Sequence, residues 1–336
     1  MTSTSAGDAV PSGKAASPLL LRDVGRGRST TPIYVGNRRF LGRRDLVISF
    51  YTQKCQFSCS YCALPLASSN EPVAATDLNA QIDFVFASKT DLLGRLEQLS
   101  FGNEGSALDP RRFHRESLHR LLDYSTSIRR LAVLSIETRP EYVKGDVLED
   151  ILGRTNATSV EVTVGFETQD DRIRREVLRK NISRRVMEER IRLLGDLGVG
   201  LTAYVMLKPA PGMTEEDGVR EAVSTIEYLA ALCDRAKVPF TAYLNPTYIA
   251  EGSLLARTRV RELYTPPKIQ SVFKVLLASH RMGVPTYVGL WSEGLAGPAG
   301  DYRTYPDYDP QLRNAILEFG RTDDFGHLAA FVDAVG

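Results

Sequence analysis

Short β-rich runs alternate with segments of helix length along most of this chain, and that rhythm constrains its fold more than any other feature. The runs are Leu46–Tyr51, Glu97–Phe101, Leu131–Glu137, Ser159–Phe166, Gly200–Leu207 and Phe240–Leu244, with a seventh, shorter one at Thr286–Trp291. Amphipathic stretches lie around Asp77–Ala87, Asp109–Tyr124, Gly145–Gly153, Asp171–Leu197, Glu215–Cys233 and Pro267–Met282. Repeated βα units predict parallel strands joined by crossover helices. Two helix starts are marked chemically. Thr214 precedes Glu215, Glu216 and Asp217 as an N-cap, and Pro266-Pro267 opens the last stretch.

A parallel strand covered on both faces reads as one continuous apolar run. Here one parity is apolar and the other polar in strand after strand. Val160, Val162, Val164 and Phe166 alternate with Glu161, Thr163, Gly165 and Glu167, and Leu134 and Ile136 alternate with Ser135, Glu137 and Arg139. Ser100, Gly102 and Glu104, then Thr202, Tyr204 and Lys208, then Thr241, Tyr243 and Asn245 repeat the pattern. Side chains alternate faces with period two, so a curled sheet gathers the polar sides into one lumen. The fold expected is an α/β partial (β/α)6 barrel over residues 31–290 around a polar ligand cavity. Glu137, Arg139, Glu161, Thr163, Tyr204, Lys208, Tyr243 and Asn245 are its lumen-lining candidates. An open antiparallel sheet with one wet face is the alternative. Residues 1–30, rich in Ser, Thr, Ala and Gly, are expected as a disordered leader, and 291–336 as a C-terminal extension forming a cap or lid.

Three of the four cysteines fall in one loop after the first run, Cys55-Gln56-Phe57-Ser58-Cys59-Ser60-Tyr61-Cys62. Spacings of three and two let a short loop wrap three corners of a 4Fe-4S cube, leaving one iron open. Zinc would want a fourth ligand nearby, and the four His stand scattered at 114, 119, 280 and 327. Three inert thiols are a further alternative. Cys233 reads as core. Clustered thiols without a disulfide framework fit a reducing cytoplasm. A net charge of +1 argues for no global field toward nucleic acid or a membrane surface. No secretory signal and no membrane-length apolar run is present.

With a tyrosine before its last cysteine, this Cys-x3-Cys-x2-Cys loop resembles the signature of the radical S-adenosylmethionine (SAM) superfamily. The resemblance implies a single 4Fe-4S cluster whose open iron chelates SAM, and a 5′-deoxyadenosyl radical that abstracts hydrogen from substrate. Phe101-Gly102-Asn103-Glu104 resembles the segment that binds the SAM amino group, and Tyr61 falls beside the expected adenine. The strand ends Glu137-Thr138-Arg139-Pro140, Gly165-Phe166-Glu167-Thr168, Leu207-Lys208-Pro209 and Asn245-Pro246-Thr247 resemble the branch containing the elongator catalytic subunit and the archaeosine-forming lyase. In that branch Lys180 matches a basic position near the SAM carboxylate. SAM-binding candidates are therefore Tyr61, Gly102, Asn103, Glu104, Glu167 and Lys180, with Cys55, Cys59 and Cys62 as cluster ligands.

Several of these residues have a plainer reading. Glu137 and Arg139 could pair as a structural salt bridge, Glu167 could cap the helix expected from Asp171, and Lys208 could be solvated. Functionally, the resemblance implies a radical SAM enzyme with a flavodoxin or ferredoxin reductant. A compact polar lumen and a balanced charge favour a small polar metabolite of a specialised biosynthetic pathway over tRNA. A tRNA-modifying lyase of the archaeosine type and a non-enzymatic iron–sulfur sensor are the alternatives. The basic runs Arg38-Arg39, Arg43-Arg44 and Arg111-Arg112 read as solvated surface.

Overall fold

A computed structural model describes residues 29–257, 262–290, 296 and 300–333. The expected leader lies almost wholly outside the described residues, as does most of the segment 291–299. One eight-stranded sheet runs in chain order: β1 (Tyr34–Phe40), β2 (Arg43–Phe50), β3 (Gln98–Asn103), β4 (Val133–Thr138), β5 (Ser159–Glu167), β6 (Gly200–Leu207), β7 (Phe240–Pro246) and β8 (Thr286–Val288). β1 is antiparallel to β2, and every later pair is parallel. The longer helices among the described residues are α1 (Ala75–Ser88), α2 (Arg115–Ser125), α3 (Gly145–Arg154), α4 (Arg184–Leu197), α5 (Glu215–Ala236), α6 (Ile269–Arg281) and α7 (Pro310–Thr322). Among the described residues no helix is long and apolar enough to cross a membrane.

The six expected runs are β2–β7, and their parity works as anticipated. Leu46, Ile48, Leu99, Leu134, Ile136, Val160, Val162, Leu201, Ala203 and Leu244 are buried against Leu78, Ile82, Leu121, Leu148, Ile191, Ile226 and Leu276 of the helices. Each such side chain, removed from water, contributes about 1.5–3 kcal/mol. The opposite parity faces inward, where Ser49, Ser100, Glu104, Ser135, Glu137, Thr163, Thr202, Tyr204 and Tyr243 line a lumen enclosing about 140 Å³. The partial α/β barrel is thus built as the sequence predicts.

β1 is not among the strands that the pattern predicts, and the turn behind it explains its pairing. Leu41 (φ 45°) and Gly42 (φ 83°) both take positive φ, as a two-residue type I′ hairpin requires. β8 is shorter than the run Thr286–Trp291. The curled sheet brings its two ends together: Phe40 stacks on Tyr287 with ring centroids 4.6 Å apart, and Arg38 donates to the Tyr243 hydroxyl at 3.1 Å. α7 packs on both edge strands, and the Leu41 amide donates to the Gly320 carbonyl at 2.9 Å.

The helix expected over Asp171–Leu197 is broken. A π-turn covers Ile173–Val177, a loop follows, and α4 starts after Ser183, whose hydroxyl accepts from the Val186 amide. Arg179 and Asn181, each at φ 54°, take the left-handed conformation that ends the helix. Arg174 anchors the break. Its fully buried guanidinium donates to the Ile182 carbonyl at 2.7 Å and the Thr168 carbonyl at 2.5 Å, pairs with Asp171, and lies over the Phe166 ring at 4.5 Å. Smaller boundary shifts occur elsewhere: α2 begins at Arg115 rather than Asp109, and α6 at Ile269, beyond the two prolines.

Because Arg174 satisfies two carbonyls from a fully buried position, Arg174→Ala should lower unfolding stability by about 3 kcal/mol. Urea unfolding monitored by circular dichroism measures this, and an unchanged midpoint would show the loop to be held by other interactions.

Candidate active site

The cysteine loop leaves β2 at the end of the barrel where the parallel strands finish, and it is tied down from three sides. The Ser60 amide donates to the Leu178 carbonyl at 2.9 Å and its hydroxyl to the Val177 carbonyl at 2.7 Å, while the Leu255 amide donates back to the Ser60 carbonyl at 2.8 Å. Gln56 donates to the Tyr142 hydroxyl at 3.0 Å, and the Arg139 guanidinium lies 3.6 Å over the Phe57 ring. The three thiols Cys55, Cys59 and Cys62 are half-buried. Burial pushes the Cys59 thiol up from its ordinary value, and the cations Lys180 and Arg139 oppose that shift.

Beneath the loop is a buried ion pair. Lys180 Nζ lies 2.6 Å from Glu167 Oε1 and 2.9 Å from the Tyr61 hydroxyl, which itself donates to the same carboxylate oxygen at 2.9 Å. Burial disfavours the Lys180 ammonium, but the adjacent Glu167 carboxylate and the Cys59 sulfur together outweigh it and hold the group above its usual pKa. Two backbone irregularities assemble this group. β5 is bulged between Gly165 and Glu167, with Glu167 at φ 72°, which re-aims the carboxylate toward the loop. The broken helix delivers Lys180. Gly165 leaves the room, since a Cβ there would stand 2.3 Å from Lys180 Nζ.

On the opposite wall, Asn103 ends β3 and Glu104 follows it beside the loop. Ser49 donates to Glu104 Oε1 at 3.2 Å. The buried Asn103 amide has no hydrogen-bond partner on either its nitrogen or its oxygen among the described residues, which marks a place for a polar ligand. Gly102 allows close packing, because a Cβ would lie 2.8 Å from Glu137 Cβ. Deeper in the lumen, Glu137 accepts from the Tyr204 hydroxyl at 3.0 Å, and burial pushes its carboxyl up from the ordinary range. Thr163 pairs with Ser135 at 3.0 Å.

Other candidates lie apart. Glu161, bonded by Thr202 at 3.3 Å, sits near the other end of β5, where Arg43 and Asp45 share its field. Asn245 is half-buried behind Tyr243 at Gly289. Arg139 and Glu137 do not pair with each other: Arg139 lies past the end of β4 and bonds Glu141 at 2.6 Å and the Lys180 carbonyl at 2.9 Å. Glu167 does not cap the following turn, where the Ile173 amide is taken by Asp170. Lys208 is neither solvated nor in the lumen. At φ 62° it leaves β6 away from the cavity and bonds Glu215 at 2.7 Å and Thr265 at 2.8 Å, walled by Gly218.

Sequence reasoning passes over Ser49 and Ser60 and misplaces Arg38, which is not solvated surface but pairs with Asp45 at 2.8 Å and lines the lumen. Ser49 carries a signal, the alternation of Asp45 and Ser49 with Leu46, Ile48 and Phe50. Arg38 carries none, since its strand has no clear alternation. The site fits a 4Fe-4S cluster and SAM by its donor chemistry: three thiols on one anchored loop, and an orphaned amide beside a carboxylate. Among the described residues no three His, Cys, Asp or Glu side chains converge as ligands of a single ion; a cube asks for one thiolate at each of three separate corners.

No family model matches the chain. It is 24% identical over 237 residues to archaeosine synthase subunit beta of Methanosarcina acetivorans, covering 69% of this chain and 66% of that protein. It is 22% identical over 283 residues to the protein of the same name from Thermococcus kodakarensis, covering 84% of each. The fold matches that of the archaeal Methanocaldococcus infernus Elp3 with TM-score 0.51 and 16% identity, over 73% of this chain and 57% of that one. The resemblance to the radical SAM superfamily, in its elongator-like and archaeosine-like branch, therefore holds beyond the cysteine loop. One expectation is overturned. Both of the curated relatives named here are named for archaeosine synthesis, which points toward tRNA rather than the small polar metabolite and specialised pathway favoured by the overall charge.

The buried Cys233 stands apart from this chemistry, 1% exposed on α5 with its thiol pushed up to about 12 by burial. At about pH 8 it stays protonated, so thiol titration of the folded, metal-free protein should find the other three cysteines accessible and Cys233 only after unfolding. Equal reactivity of all four would contradict this packing.

Proposed function

We propose that this radical SAM chain is a tRNA-modifying enzyme of the archaeosine type, acting on a nucleoside drawn into its polar lumen. The observation that carries the reading is the anchored three-thiol loop set over that lumen, in a chain whose relatives are named for archaeosine synthesis. Cys55, Cys59 and Cys62 would hold a 4Fe-4S cluster, and SAM would occupy the space between the loop and β3. Held there, a cluster reduced by an external donor would supply reductive cleavage of SAM and, through it, hydrogen-abstracting radical chemistry toward a substrate.

The chain's own residues bind and orient. Glu104 offers an anionic partner for an ammonium, and the Asn103 amide offers both a donor and an acceptor. Lys180, kept charged by Glu167, presents a cation for a carboxylate. Tyr61, held by both through its hydroxyl, fixes the loop against the wall that Lys180 and Glu167 form. Glu137, kept protonated more readily than an ordinary carboxyl, can donate as well as accept toward a base edge. The helix-side apolar layer and the Phe40–Tyr287 stack shield the lumen from bulk water at its far end.

Reconstituted protein with dithionite and SAM should form 5′-deoxyadenosine, and unfractionated tRNA should increase its yield with a new nucleoside in the digested tRNA. No product above background would remove the enzymatic reading; product that tRNA leaves unchanged would remove the tRNA reading. Ala at Cys55, Cys59 or Cys62 should abolish both visible cluster absorbance and SAM cleavage. Glu104→Ala should keep the absorbance and weaken SAM binding by roughly ten- to a hundredfold, the value of one charge-assisted hydrogen bond. Unaltered affinity would mean that the SAM amino group lies elsewhere.

A further inference from the structure

The overall charge of +1 conceals a local concentration. Between Asp170 and Arg192 the chain carries nine Arg or Lys against five Asp or Glu, and the stretch Glu176–Arg179 within it lines a groove beside the cysteine loop, one lip of the site. Its cations divide by direction. Arg174 is fully buried and Lys180 is paired with Glu167. Arg172, Arg175 and Arg179 are exposed, and their side chains make no hydrogen bond or ion pair among the described residues. Left-handed backbone at Arg179 and Asn181 sends consecutive cations opposite ways, Arg179 outward and Lys180 into the site. That conformation costs non-glycine residues about 1–2 kcal/mol each, and such strain gathers where a site requires it.

Arg179 also shares a groove of about 330 Å³ with Arg257 and with Ser60 and Tyr61 of the cysteine loop, Glu176 being the acid among its lining residues. Two guanidinium groups therefore flank an opening that begins at the loop itself, and Arg175 and Arg172 continue the cationic line along the π-turn.

We infer that this lip is an RNA-binding rim: Arg172, Arg175, Arg179 and Arg257 hold backbone phosphates on either side of a nucleotide extruded into the lumen. The inference rests on the tRNA reading above. An enzyme that modifies a base inside a folded polynucleotide takes it out of the stack, so the flanking phosphates come to rest at the mouth of the pocket. Cations there give affinity and register without reading sequence, and guanidinium suits phosphate geometrically.

Neutralising phosphates releases counterions, so the test is the salt dependence of binding. The dissociation constant for unfractionated tRNA is measured with the cluster-loaded enzyme over a range of salt. Its log–log slope should fall by about two to three in Arg172→Gln/Arg175→Gln/Arg179→Gln, because each phosphate neutralised accounts for about 0.7–0.9 of the slope. The triple Lys variant at the same positions should keep most of the slope. Arg129→Gln/Arg130→Gln, exposed before β4 at the opposite end of the strands, should leave it unchanged, and visible cluster absorbance should be equal in all. A wild-type slope retained in the Gln variant, or an equal fall in the Arg129/Arg130 control, overturns the rim while leaving the tRNA reading in place. Absence of salt-dependent tRNA binding by the wild type overturns the tRNA reading and the rim with it.

Discussion

The site depends on one buried ion pair, Lys180 with Glu167, closed by the Tyr61 hydroxyl. Each partner comes from a different part of the chain: Tyr61 from the cysteine loop, Glu167 from a bulged strand end, and Lys180 from the loop that breaks a helix. Taking two charges out of water costs several kcal/mol per ion, and only close geometry with further hydrogen bonds offsets it. The pair, with the bonds of Ser60 to Leu178 and Val177 and of Arg174 to Thr168, fixes the relative positions of the three segments. Removing either charge would leave its partner buried and uncompensated, so the loop, the bulge and the helix break hold one another in place.

The same economy of position governs the lumen. Apolar parity attaches each strand to its helix, which leaves the polar parity no destination but the interior of the curled sheet. Hydroxyls there satisfy one another, as Ser135 does Thr163, whereas carboxyls at differing depths acquire different partners and fields. Glu104 accepts from Ser49 near the thiols, Glu137 from Tyr204 at mid-depth, and Glu161 from Thr202 near Arg43 and Asp45. Glu104 and Glu137 thus meet different environments along one cavity, whose lining does not include Glu161.

Charge illustrates how a sum can mislead. The near-neutral total suggests a small polar metabolite, and the names of the curated relatives point the other way. Electrostatic interaction is local, over a Debye length of about 8–10 Å, so the exposed Arg172, Arg175 and Arg179 act on their own surroundings whatever the total charge of the chain. The cationic runs conspicuous in the sequence are adjacent pairs; the relevant one is spread over a segment that reads as a single helix.

By itself the sequence determined the six parallel strands β2–β7, the face of most of their side chains, the thiol loop and the superfamily it resembles. These follow from period and spacing, which are local properties of a chain. It determined neither β1, whose Arg38 and Arg39 obscure the strand pattern, nor the helix break, because Arg174 stabilises that break through carbonyls at Thr168 and Ile182. Tertiary structure decided where the charges point. Glu167 is turned to the loop by a bulge, Lys180 inward and Arg179 outward by left-handed backbone, and Lys208 away to Glu215. Parity assumes regular extended backbone, and each of these residues sits where the strand or helix ends and that regularity is lost.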